Sequence, residues 1–285
     1  MMTKTPANEQ YGILTDVTKC TGCEQCVAAC KQYNGKREGR NMKRDLPRRW
    51  KTSIDDLSLT RYTTIVRRPG NHYVRKQCRH CVEPACVSAC IVGALRKEPT
   101  GAVSDCFPKC IGCRYCMTAC PFGIPRYDWS APNPFMRKCN LCYQRIADGQ
   151  SQPACTQACP EGATIFGKRG DLLKIARERL AAEPGKYVPK VYGESEVGGT
   201  CVLYVSDIPL DFLAWNAQAM DDTPLPERTW AAMKKVPTIS LGMAGLMAGT
   251  WWVIGRRMKL QTGQQNADER GHTPTGTDDR GAQTD

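Results

Sequence analysis

The chain has 285 residues, a formal net charge of +12, and is 41% hydrophobic and 24% charged. At ~150 residues per domain this allows one large domain or two small ones, and the apolar content excludes a disordered chain. The basic balance admits nucleic acid, an anionic membrane face, an acidic partner or simply a soluble positive surface. Cysteine is the outlier, with 18 residues of which 16 fall in four compact groups.

In chain order, the N-terminus MMTKTPANEQYGIL shows no basic n-region, apolar h-region or twin arginine, so no signal peptide is expected. Group one is CTGCEQCVAAC, with Cys20, Cys23, Cys26 and Cys30. Residues 31–51 form a basic insertion with nine Lys or Arg, read as a solvated loop or as a docking surface for a partner. LTRYTTIV and the following RRPGNHYVRK predict a hairpin over about residues 57–77, with Pro69-Gly70 at the centre of a type II turn. Group two is CRHCVEPACVSAC, with Cys78, Cys81, Cys86 and Cys90. Group three is CIGCRYCMTACP, with Cys110, Cys113, Cys116 and Cys120 before Pro121. Group four is split, CNLC supplying Cys139 and Cys142, and CTQACP supplying Cys155 and Cys159 before Pro160.

Beyond the groups, Asp171 reads as the N-cap of LLKIARERLAA, a packing helix with Leu172, Leu173, Ala176 and Leu180 on one face and Pro184-Gly185 as its stop. A Gly198-Gly199 turn leads into CVLYV, a strand expected to lie against the core. A connecting segment, 206–235, precedes twenty residues without a charge, 236–255, the length that spans a hydrocarbon core of ~30 Å. Trp230 and Trp251-Trp252 stand where aromatic belts sit, Lys234-Lys235 and Arg256-Arg257 bracket the stretch, and Gly245 with Gly249 allows close packing on another membrane helix. A single transmembrane helix is therefore expected, the alternative being a buried soluble helix. Residues 256–285, rich in Gly, Gln, Thr and Asp, read as a disordered tail.

Groups one and three have the C-x2-C-x2-C-x3-C spacing of bacterial ferredoxins, and all four groups end in C-x3-C. Three thiolates two residues apart can converge on one cuboidal cluster, while the fourth points along the following helix toward another. Zinc is the rival, because paired C-x2-C motifs also build four-cysteine zinc sites. Disulfides suit neither cysteines two residues apart nor a chain of this length. Sixteen cysteines divide evenly into four [4Fe–4S] clusters. Histidine ligation is not expected: only His72 and His80 lie near the groups, and a Rieske centre needs two on one iron. His80 reads as a cluster neighbour or a surface residue. Cys106 and Cys201 are left over, Cys106 as a spare thiol.

KQCRHCVEPACVSAC, CIGCRYCMTACPFGIPRYD, RKCNLC, CPEGATIFG and VYGESEVGGTCVLYV together resemble the four-cluster iron–sulfur beta subunits of membrane-bound respiratory oxidoreductases, over residues 11–205 and loosely into the C-terminal helix. The likeness is strongest to the ferredoxin-like subunit of quinone-linked nickel–iron hydrogenases, and next to the formate dehydrogenase beta subunit. It implies an α+β fold of tandem bacterial-ferredoxin-like units holding four cubane clusters, plus one C-terminal transmembrane helix. It also implies which cysteines share a cluster, a point that spacing leaves open. Cys20, Cys23 and Cys26 would take Cys159, and Cys139, Cys142 and Cys155 would take Cys30. Likewise Cys78, Cys81 and Cys86 would take Cys120, and Cys110, Cys113 and Cys116 would take Cys90.

The implied function is a relay from a catalytic oxidoreductase subunit, a hydrogenase or else a formate dehydrogenase or other molybdenum or tungsten enzyme, to a quinone-reactive membrane subunit. No Walker or Rossmann glycine pattern appears and the span has no histidine for haem, so no catalytic site, small-molecule substrate or nucleic acid is expected. Arg137 and Lys138, just before Cys139, are candidate tuners of cluster potential, or else simply reach solvent. The expected location is the inner membrane, single-pass, with the cluster domain on the periplasmic side. Four Lys or Arg follow the span in 256–270 against three before it in 221–235, in line with that orientation. The rival class is an iron–sulfur sensing or nucleic-acid-binding module.

Overall fold

β1 (Tyr11–Asp16) is the strand on which the first unit is assembled. Its residues Gly12–Asp16 are all buried, and Ile13 and Leu14 have no exposed surface. The computed structural model describes residues 5–38, 57–127, 134–147, 151–214 and 220–271. It divides into two units, Met1–Arg228 and Thr229–Asp285.

β1 lies at the centre of a three-stranded sheet. On one side it pairs antiparallel with β8 (Thr164–Lys168), Ile13 opposite Phe166, and on the other parallel with β9 (Val202–Val205), Ile13 opposite Val202. All four β9 residues are fully buried, as the apolar CVLYV run leads one to expect. Each such side chain contributes about 1.5–3 kcal/mol by leaving water.

Three two-stranded ribbons stand between β1 and β8. β2 (Thr63–Arg68) and β3 (His72–Gln77) form the expected hairpin, with Gly70 at φ 81° where a type II turn requires a positive angle. β4 (Leu95–Lys97) pairs with β5 (Val103–Asp105), and β6 (Arg126–Tyr127) with β7 (Met136–Arg137). Short helices carry cysteines between them: α1 (Gln25–Glu38) packs on α5 (Ala154–Gln157), and α2 (Ala85–Ser88) on α3 (Tyr115–Ala119). α4 (Tyr143–Ala147) follows Cys142.

α6 (Arg169–Ala182) packs on the sheet with Leu172, Leu173 and Ala176 buried. It begins at Arg169, with Lys168 as the capping residue, and Asp171 falls inside the first turn instead of capping it. β8 runs straight into the helix because the Arg169 side chain is needed in the interior. Its Nε donates to Thr200 O at 2.9 Å and its Nη2 to Glu194 O at 2.6 Å. Asp171 still favours the helix dipole from this position.

The basic insertion also starts differently. Residues 31–38 continue α1, because Asn34, one turn beyond Cys30, turns back to donate to the Cys30 carbonyl at 2.9 Å. The rest of the insertion lies outside the described residues.

α7 (Leu225–Met233) precedes α8 (Val236–Gly271), a single helix of 36 residues. The uncharged stretch forms its first part and is long and apolar enough to cross a membrane. Leu241, Leu246, Trp251 and Trp252 are exposed along it. Lys234 and Arg256 lie over the rings of Trp230 and Trp252 at 5.8 and 5.6 Å. α8 runs on to Gly271, where a disordered tail was expected from residue 256. That segment holds Arg, Met, Lys, Leu and Gln, all good helix formers, and no proline. Residues 272–285 lie outside the described residues.

Gly12 sits flush against β9: a Cβ there would collide with the Cys201 carbonyl oxygen. Gly12→Ala is expected to lower stability by about 1–3 kcal/mol through overpacking, read as a lower denaturant midpoint of the far-UV signal. Gly255→Ala, on a helix in open space, should leave that midpoint in place.

Candidate metal centres

The first C-x2-C turn of each group carries a left-handed residue immediately before its second cysteine: Gly22 (φ 73°), His80 (49°), Gly112 (71°) and Leu141 (56°). Groups one and three add a second, Glu24 and Arg114, just past that cysteine. Backbone of this kind turns successive N–H groups toward one concavity, a nest for negative charge. The N–H groups of Leu141 and Ala94 donate to the sulfurs of Cys139 and Cys90 at 3.4 and 3.2 Å. Those of Ile124, Phe122 and Gly123 serve Cys120. His80 and Leu141 adopt this conformation at a cost that glycine would avoid. Both are fully buried, so packing holds them there.

The strand pairing determines which groups meet. β1 leads into group one and β8 leaves group four, so their antiparallel pairing brings Cys20, Cys23 and Cys26 to Cys159. These four ring one cavity, with Thr15 and Arg75 in its wall. Cys110, Cys113 and Cys116 ring another with Cys90, beside Tyr127 and Met136.

Two further gatherings are deeper. The thiol of Cys30 has Cys139, Cys155 and Cys142 as its strongest charged neighbours, and that of Cys81 has Cys120, Cys86 and Cys78. Repulsion also links one gathering to the next, Cys26 with Cys155, Cys139 with Cys78, and Cys86 with Cys116. The four gatherings therefore adjoin in a row. Cys23 is exposed at one end, and Ile91, Ile111 and Tyr115 are exposed at the other.

Burial, reinforced by neighbouring thiols, raises a subset of these thiols. Cys26 and Cys116 rise to about 11 and Cys86 to about 12, while Cys30 and Cys81 go well above the usual value. Such a donor set calls for a positively charged, thiophilic occupant. Among the described residues no three His, Cys, Asp or Glu side chains are close enough to share one metal ion. Zinc, with bonds of about 2.3 Å to sulfur, would need that convergence. Four thiols around a cavity suit a group of several atoms, and the residues fit a [4Fe–4S] cluster.

Buried cations accompany the sulfurs. Lys138 is 3% exposed and donates to the carbonyls of Val103 and Cys139. Burial opposes its charge, but Cys78, Asp105 and Cys86 outweigh that and raise its pKa. Arg137, also 3% exposed, pairs with Asp105 at 3.9 Å over the ring of Phe107. Neither reaches solvent, which corrects that alternative reading. His80 is buried, not at the surface. The Val103 N–H donates to its Nδ1 at 2.9 Å, and burial, with Lys138 and Lys97, drives its pKa well down, so it is neutral.

The remaining residues fall elsewhere. His72 faces Asp207 at 3.3 Å. Cys106 is half-buried in the turn before group three and lines neither cavity. Cys201 is buried immediately before β9, its Sγ 3.3 Å from Gln10 Oε1 and 3.7 Å from Lys97 Nζ. Sequence reasoning missed Arg75, whose burial depends wholly on tertiary context.

Residues 70–169 match the family described as a 4Fe-4S dicluster domain. The hydrogenase-2 operon protein HybA of Escherichia coli O157:H7 is 36% identical over 247 residues, 73% of each chain. The formate dehydrogenase-O iron–sulfur subunit of Escherichia coli K12 is 36% identical over 205 residues, 69% of this chain and 67% of its own. A protein of Nitratidesulfovibrio vulgaris is 38% identical over 272 residues, 90% of this chain and 70% of its own. Motif, fold and relatives agree: the chain belongs to the 4Fe–4S family of iron–sulfur electron-transfer subunits of oxidoreductase complexes.

Proposed function

We propose that this chain relays electrons through four [4Fe–4S] clusters from a catalytic hydrogenase subunit to a quinone-reactive membrane subunit. The observation that carries the reading is the row of four cysteine gatherings, each drawing three sulfurs from one group and the fourth from a partner group. Cys20, Cys23, Cys26 and Cys159 would hold the first cluster, and Cys30, Cys139, Cys142 and Cys155 the second. Cys78, Cys81, Cys86 and Cys120 would hold the third, and Cys90, Cys110, Cys113 and Cys116 the fourth. Bound there, a [4Fe–4S] cluster supplies a one-electron couple whose potential follows local charge, hydrogen bonds to sulfur and exposure.

The protein's own part is to hold the sulfurs rigidly and to set that environment. The sheet and short ribbons position the loops, the nests direct N–H groups at sulfur, and Lys138 supplies a fixed positive charge between the second and third sites. The exposed ends of the row give partner subunits access to the first and fourth sites. α8 would anchor the chain as a single transmembrane span. The larger number of basic residues after it favours a cytoplasmic tail and a cysteine domain on the periplasmic side.

The hydrogenase is favoured by the likeness to HybA over 73% of each chain. The formate dehydrogenase subunit, equally identical over a shorter stretch, supports a second reading with a molybdenum or tungsten enzyme as partner. Metal analysis of the complex purified anaerobically from mild detergent separates them. Nickel is expected; molybdenum or tungsten without nickel would support the second reading.

The ligand sets are tested one at a time. Cys159→Ser and Cys120→Ser should each perturb a single cluster of four irons, lowering the iron count from about sixteen per chain by at most about four. Losses spread over several clusters in the folded chain would contradict the assignment.

Proton release offers an independent check. Ligating thiolates must shed their protons. At pH 10, thiols of ordinary acidity, with a pKa of about 8.5, would already be ionised and release little. Cys26, Cys116 and Cys86, raised to about 11 and 12, should still release close to one proton each on cluster assembly, in addition to the one proton that each hydrosulfide sheds as it becomes cluster sulfide, measured by titration in weak buffer.

A further inference from the structure

Arg75 is the bulkiest of the fully buried side chains, with 1% of its surface exposed, and the relay as described gives it no task. Its backbone is pinned: it stands on β3 opposite Ile65, and the Tyr204 hydroxyl donates to its carbonyl at 2.8 Å. Among the described residues the side chain has a single hydrogen bond, from Nη2 to Thr15 Oγ1 at 3.4 Å. Its Nε and Nη1 have no partner among the described residues. A buried guanidinium left this way is costly, because removing a charge from water must be offset by an opposite charge and by hydrogen bonds.

The opposite charge is sulfur. Arg75 lines the cavity ringed by Cys20, Cys23, Cys26 and Cys159. The groups acting on it most strongly are Cys155, Cys26, Tyr204 and Cys139, with no carboxylate among them. Cys26 belongs to the first gathering, and Cys155 and Cys139 to the second. The guanidinium therefore stands at the junction of two sites. Lys138, at the next junction, spends hydrogen bonds on two carbonyls, and Arg79 lies over the rings of Tyr204 and Phe122 at 4.1 and 5.2 Å.

We infer that Arg75 is a positioning residue for electron transfer, a fixed cation whose unused N–H groups donate to sulfur at both the first and the second [4Fe–4S] sites and raise the potentials of both. Reduction adds negative charge to a site, so a neighbouring cation favours the reduced form. Arginine suits the task because its donors are arranged as a fork and its charge does not titrate. Lysine would keep the charge but reach as a single point.

The inference rests on the ligand sets proposed above, and the test separates the two. Iron and sulfide are counted first in the cluster-loaded full chain. About sixteen irons are expected, and a wild-type count well short of this overturns the ligand sets. EPR-monitored redox titrations of wild type, Arg75→Gln and Arg75→Lys then address Arg75. Arg75→Gln should lower two of the four midpoint potentials by at least about tenfold in the reduction equilibrium, about 59 mV for one electron, and leave the other two in place. Arg75→Lys should lower the same pair by less. Four unchanged potentials, or four that move together, overturn the role given to Arg75. If Arg75→Gln fails to retain iron, Arg75→Lys decides: a fall confined to one pair supports the inference, and no shift overturns it.

Discussion

Groups one and four lie far apart in the chain, and the antiparallel pairing of β1 with β8 brings them together. Once Ile13 stands opposite Phe166, the polypeptide is closed on itself and everything between must fold inside that closure. The β4–β5 ribbon then returns the chain from group two to group three, and the β6–β7 ribbon from group three to group four. The nested order of strand pairs supports the exchange of cysteines proposed above. The closure is reinforced at the start of group one. Asp16, fully buried, accepts hydrogen bonds from Thr18, Arg179 and Tyr187 and so ties the turn before Cys20 to α6 and the segment beyond it.

Gathering so many thiols in one interior creates an electrostatic problem that no packing of apolar residues can solve. Burial and mutual repulsion both oppose ionisation, as the raised values of Cys26, Cys86 and Cys116 express. The fold answers with three kinds of positive field. Backbone N–H groups in the nests act at short range. Lys138, Arg79 and Arg75 contribute formal charge from inside the protein. The iron of the bound clusters supplies the rest, which couples the stability of this region to metal loading.

The chemistry of the chain was largely legible in its sequence because cysteine spacing is a local property. The hairpin around Pro69-Gly70, the buried CVLYV strand and the apolar face of Leu172, Leu173 and Ala176 were legible for the same reason, since each follows from residue pattern over a few positions. What depended on distant partners was not. Asp171 has the residue type of an N-cap, but a buried Arg169 starts the helix two residues earlier. Asn34 extends α1 into a stretch whose charge pattern reads as loop. His80 and Leu141 adopt left-handed backbone that nothing in their residue type announces. Arg75 sits among Arg, Lys and Tyr in a segment that looks solvent-facing, and arginine is rarely found inside. Only the assembled sheet shows that it points inward.

The most direct test of the whole account is anomalous diffraction at the iron edge from crystals of the intact complex. Four compact multi-iron peaks are expected in this chain, in a row, the first among Cys20, Cys23, Cys26 and Cys159 and the last among Cys90, Cys110, Cys113 and Cys116. Fewer peaks, single-metal peaks, or iron beside Cys106 or Cys201 would contradict it.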